Sequence, residues 1–125
     1  MARRHGLLFV LLVACATAIG VPAAQAATVA FDLKIERGRV PENMRRIRVE
    51  QGDIVTLRWS VDQPAILHLH GYEIEQRIEP GTVGEMIFTA RATGRFPVHI
   101  HDAESASSKR AHEEAPLLYV EVYPH

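Results

Sequence analysis

Apolar and polar residues alternate along most of this chain. Val29, Phe31, Leu33 and Ile35 are separated by small or charged side chains up to Arg37-Gly38. A period of two is that of a strand with one face on a core and the other in water. The pattern returns in Ile47 and Val49 before a turn at Gln51-Gly52-Asp53, then in Val55, Leu57, Trp59 and Val61. Further strands are expected from Ala65 to His70, Glu73 to Ile78, Glu85 to Ala90 and Phe96 to His101, separated by Gly71, Pro80-Gly81 and Thr93-Gly94. Leu118, Val120 and Val122 form a closing strand. The interval from Val40 to Arg46 holds Pro41 and is expected to be a loop or one helical turn. Seven or eight short strands in about a hundred residues predict an all-β fold, a single Greek-key antiparallel β-sandwich. Phe31, Leu57, Trp59, Leu69, Phe88, Phe96, Val98 and Val120 are expected in its interior.

The amino terminus has a different pattern. Arg3, Arg4 and His5 precede an uncharged apolar run from Leu7 to Ala14, and Ala24-Gln25-Ala26 follows a break at Gly20 and Pro22. A basic start, an apolar stretch and a small-x-small ending make an export signal, so residues 1–26 are expected to be a signal peptide and 27–125 the folded domain. A bilayer span needs about 20 apolar residues, more than this run supplies, so no transmembrane segment is expected in the mature chain. Leu12-Val13-Ala14-Cys15 also resembles a bacterial lipobox, which would anchor a lipoprotein at Cys15. Either route places the protein in the periplasm or otherwise outside the cytoplasm.

The chain has 125 residues, 14 Lys plus Arg against 15 Asp plus Glu, and one cysteine. One domain fits that length. The near-neutral charge gives no basic excess for a phosphate backbone, and nucleic acid is not an expected partner. A single cysteine forms neither a disulfide framework nor a zinc ribbon, and cleavage after Ala26 removes it.

The chemistry lies in the histidines. Four of the seven form two His-x-His pairs, His68-Leu69-His70 and His99-Ile100-His101. On a strand, residues i and i+2 point the same way, so each pair presents two imidazoles while Leu69 or Ile100 faces the core. If the two strands are neighbours, four imidazoles converge. Neutral imidazole binds copper, zinc and nickel, and copper(II) is favoured among divalent ions at a nitrogen site. His112, in a charged loop from Ala103 to Ala115, is a further candidate ligand. The competing reading treats the pairs as half-buried polar positions on ordinary strands.

The chain resembles the cupredoxin family over nearly all of residues 27–125. The resemblance rests on Gly52-Asp53 entering a strand with Trp59, His68-Leu69-His70-Gly71-Tyr72, Pro80-Gly81, Phe88-Thr89-Ala90 and Gly94-Arg95-Phe96-Pro97-Val98-His99. It implies a cupredoxin-like sandwich and copper as the bound metal, with His70 matching the family's first histidine ligand. Blue-copper members also use a cysteine thiolate, and residues 27–125 contain none, so a type 1 blue site is excluded. The His68-Leu69-His70-Gly71 and His99-Ile100-His101 segments resemble the His-x-His motifs of multicopper oxidases, with Ile100 where the second motif has Cys. A three-copper cluster needs about twice the histidines available, and no nucleophile elbow, P-loop or dinucleotide fingerprint occurs, so no enzymatic activity is expected.

Met44 and Met86 are possible thioether donors, although Met86 alternates with Phe88 as a core residue would. Asp102 and Glu104 could orient an imidazole. Arg45, Arg46 and Arg48 form a basic run expected to be a solvated face. These readings lead to an exported copper-binding protein that stores, delivers or buffers the metal ion through His68, His70, His99, His101 and His112, with a copper-handling protein as a possible partner. The alternative is a metal-free cupredoxin-like interaction or structural module.

Overall fold

The structure, a computed structural model, describes residues 15–20, 26–102 and 115–125. Eight strands follow one another: β1 (Thr28–Ile35), β2 (Arg46–Glu50), β3 (Ile54–Val61), β4 (Ala65–Leu69), β5 (Ile74–Ile78), β6 (Gly84–Thr89), β7 (Gly94–Asp102) and β8 (Leu118–Tyr123). A single 3-10 turn at Glu42–Met44 follows Pro41, in the interval where a loop or one helical turn is expected. The strands form a three-stranded sheet in the order β1-β3-β6 and a five-stranded sheet in the order β2-β8-β7-β4-β5. The alternation explains the sandwich between them. Leu33, Ile35, Val55, Leu57, Trp59, Met86 and Phe88 from the first sheet, and Ile47, Leu67, Leu69, Val98, Val120 and Val122 from the second, form one buried cluster.

Strand direction departs from the expected antiparallel arrangement in two places. β1 pairs with β3, and β2 with β8, in parallel. The chain leaves the first sheet after β1, contributes β2 to the second, and returns beside β1 in the same sense. A parallel pair requires such a crossover, whereas side-chain alternation reports only which face is buried. Between β1 and β2 the turn at Arg37 and Gly38 has two consecutive left-handed residues, with φ of 53° and 74°, and is closed by paired backbone hydrogen bonds between Glu36 and Arg39. This is the backbone requirement of a tight two-residue reversal.

Two aromatic residues expected in the interior are only part-buried, Phe31 and Phe96. Phe96 lies near the start of β7, under the turn that follows β4: a Cβ built on Gly71 would come within 2.5 Å of its ring. Tyr72 covers the same region, its ring centre 4.9 Å from Phe96 and 4.7 Å from Phe88. An aromatic group thus supports the end of β4 from which the second histidine of the first pair emerges.

Candidate metal centre

β4 and β7 are antiparallel neighbours in the five-stranded sheet, and their register sets His68 directly opposite His99. Leu67, Leu69 and Val98 turn into the core, so His68 and His99 emerge on the outer face. His70 follows the last residue of β4, and its N–H donates to the Pro97 carbonyl at 3.0 Å, carrying the pairing one residue further. The His68 and His70 ring centres are 4.0 Å apart, and those of His70 and His99 are 4.9 Å apart. The His70 imidazole therefore neighbours those of both His68 and His99. His101 lies on the same face, opposite Ile66, at the end of the group remote from His70. All four histidines are half-buried.

The turn after His70 shapes this site. Gly71 has φ 88°, a left-handed value that disfavours any residue with a Cβ, and Phe96 leaves no space for one. Gly71→Ala is therefore expected to cost at least about 2 kcal/mol, through backbone strain and overpacking together. Urea unfolding measures this, and a loss under about 0.5 kcal/mol would contradict the tight approach. Two residues on, Glu73 is also left-handed, with φ 52°. Its carboxylate accepts the Gly71 N–H at 3.2 Å through Oε1 and places Oε2 3.4 Å from His68 Nε2. Glu73 was not singled out by sequence, because no strand periodicity connects it to His68.

The β2 and β8 half of the same face carries a different group. Glu121 Oε1 is 3.0 Å from Arg46 and 3.8 Å from Arg95, and its Oε2 is 3.7 Å from Arg48. The Tyr123 hydroxyl donates to Glu121 at 2.7 Å. That hydrogen bond, then the three guanidinium groups, holds the Glu121 carboxyl below the ordinary range. Arg95 also stacks over the Tyr119 ring at 3.7 Å. The expected solvated basic run is thus partly an ion-pair group, with Arg45 turned instead toward Glu42 at 3.4 Å.

The remaining candidates are dispersed. Met86 is buried in the core, and Met44 packs against it, so both thioethers serve the interior. His125 lies against the Gly52 turn. Cys15 is exposed and precedes β1. His112, Glu104 and most of the expected signal peptide lie outside the described residues. Among the described residues, no helix is long and apolar enough to cross a membrane.

The donors present suit an imidazole-bound divalent ion, copper(II) foremost. Their arrangement is adjacent rather than convergent: among the described residues, no group of three or more His, Cys, Asp or Glu side chains is gathered as in a preformed metal site. Closing three imidazoles around an ion would require side-chain rotation between rotamers.

No family model matches the sequence, and no curated protein matches it. Solved structures do. A copper binding protein determined in its apo form is 8% identical, matched over 81% of this chain and 93% of its own, with a TM-score of 0.59. A copper nitrite reductase from Nitrosomonas europaea is 19% identical over 78% of this chain and 42% of its own, with a TM-score of 0.58. A multi-copper oxidase from Pseudomonas thermotolerans is 21% identical over 80% of this chain and 30% of its own, with a TM-score of 0.56. The chain spans less than half the length of the reductase and oxidase chains. The eight strands, their division into two sheets and these neighbours agree: the fold of this chain is the cupredoxin-like β-sandwich.

Proposed function

We propose that this is an exported copper-binding protein, which stores, delivers or buffers the ion without catalysing a reaction. The observation that carries the reading is the contact of His68, His70 and His99 on one outer sheet face. Imidazoles clustered on an accessible face can take up and release an ion without opening the core. His101 and His112 are the additional donors of this reading, and the copper-handling partner, if one serves the site, approaches the outer face of the five-stranded sheet. The amino-terminal basic and apolar segment supports export. The copper proteins among the structural neighbours support the choice of metal.

Copper loading tests the reading optically. The protein loaded with copper(II) and desalted should retain the ion and show only weak ligand-field absorption, because nitrogen donors lack the intense thiolate charge-transfer band. Loss of all copper on desalting, or an intense blue band, would contradict it. A second reading, a metal-free interaction face, is favoured by the absence of a preformed donor group among the described residues. It predicts that the histidines are dispensable for any binding of copper and that the ion is lost on desalting.

A further inference from the structure

We propose that Glu73 supplies a carboxylate oxygen to the ion held by His68 and its neighbours, making the centre a mixed nitrogen and oxygen site for a divalent cation. This deepens the copper-binding reading and rests on it. Three features of Glu73 meet at one place. Its Oε2 is 3.4 Å from His68 Nε2, at the edge of the imidazole group. Its Oε1 is tied by the Gly71 N–H at 3.2 Å, which orients the carboxylate across the turn. Its backbone has φ 52°, a conformation that Gly or Asn adopts at lower cost than Glu. Non-glycine residues in this conformation are held there by the surrounding structure and cluster at ligand clamps and switch regions.

A carboxylate changes what the site selects. Oxygen donors and imidazole suit copper(II) and zinc(II), whereas copper(I) favours thiolate and thioether ligands. Met44 and Met86 are directed to the core, and residues 27–125 contain no cysteine, so soft donors do not compete among the described residues of that span. The carboxylate also offsets one positive charge of a bound divalent ion, close to a face whose other half carries Arg46, Arg48 and Arg95.

Glu75 provides an internal control. It is the ladder partner of His68 on β5 and has the same formal charge, but the His68 imidazole contacts Glu73. The experiment is copper(II) titration of the wild-type protein, Glu73→Gln and Glu75→Gln, with electron paramagnetic resonance of each copper-loaded form. Thermal unfolding of the metal-free proteins checks that both variants keep the fold. Glu73→Gln should weaken copper(II) binding about 10- to 100-fold and shift the spectrum toward a nitrogen-only pattern, while Glu75→Gln changes affinity less than about threefold. Equal weakening by both variants would reduce the effect to general charge and overturn the proposal. Unchanged affinity and spectrum in Glu73→Gln would also overturn it while leaving the imidazole site standing. A wild-type protein that binds no copper(II) would instead remove the reading on which the proposal rests.

Discussion

Replacing Trp59 with Ala should cost about 3 to 5 kcal/mol of folding stability. The indole is fully buried on the inner face of β3, between Leu33 of β1 and Gly84 of β6 in the ladder. Its Nε1 has no hydrogen-bond partner among the described residues, so its contribution comes from packing and not from a polar contact. Truncation would therefore lose apolar transfer free energy and leave a cavity that the two sheets can close only in part. Domains of this size have about 5 to 15 kcal/mol of stability, so the variant should unfold at much lower denaturant concentration. Trp59→Phe should cost less, since no hydrogen bond is broken and much of the volume is kept. Guanidinium unfolding followed by circular dichroism reads both variants. A loss below about 1 kcal/mol for Trp59→Ala would contradict the burial of the ring.

The buried face of each strand was legible in the sequence because burial follows alternation directly. Leu57, Trp59, Leu69, Phe88, Val98 and Val120 occupy the interior as their spacing requires. The parallel pairing of β1 with β3 and of β2 with β8 was not legible, because strand direction depends on which sheet the chain enters next. Phe31 and Phe96 keep the correct alternation but are incompletely covered, a consequence of position along the strand that periodicity does not encode.

The site divides in the same way. Period two places the two histidines of each pair on one face, and the β4–β7 pairing then sets His68 against His99. The contact between His68 and Glu73 depends on left-handed residues at 71 and 73 that bend the chain back within five positions. Glycine at 71 signals such a turn, but a glutamate in a left-handed conformation gives no local sign. The grouping of Arg46, Arg48 and Arg95 around Glu121 likewise requires the register among β2, β8 and β7, residues far apart in the chain.

The second large effect expected is on metal affinity. His70 belongs to the β4 side of the group and His99 to β7, and each ring lies within 4.9 Å of the other. Neither strand alone presents three adjacent imidazoles, so under the proposed function removal of either side leaves an incomplete ligand set. His70→Ala and His99→Ala should each weaken copper(II) binding at least about tenfold, or ~1.4 kcal/mol. His125, against the Gly52 turn, is the control whose replacement should leave affinity unchanged. Protons compete with the ion for imidazole, so affinity should also fall as the solution is acidified.

Calorimetric titration of the wild-type protein and these three variants with copper(II), with zinc(II) alongside, tests the central claim most directly. The account predicts saturable copper(II) binding by wild type and His125→Ala, and marked weakening in both His70→Ala and His99→Ala. If only His99→Ala weakens binding, the centre lies on the β7 side and draws on His112 instead of His70. Equal, weak binding by all four proteins would contradict a copper site on this face and leave it as a metal-free interaction surface.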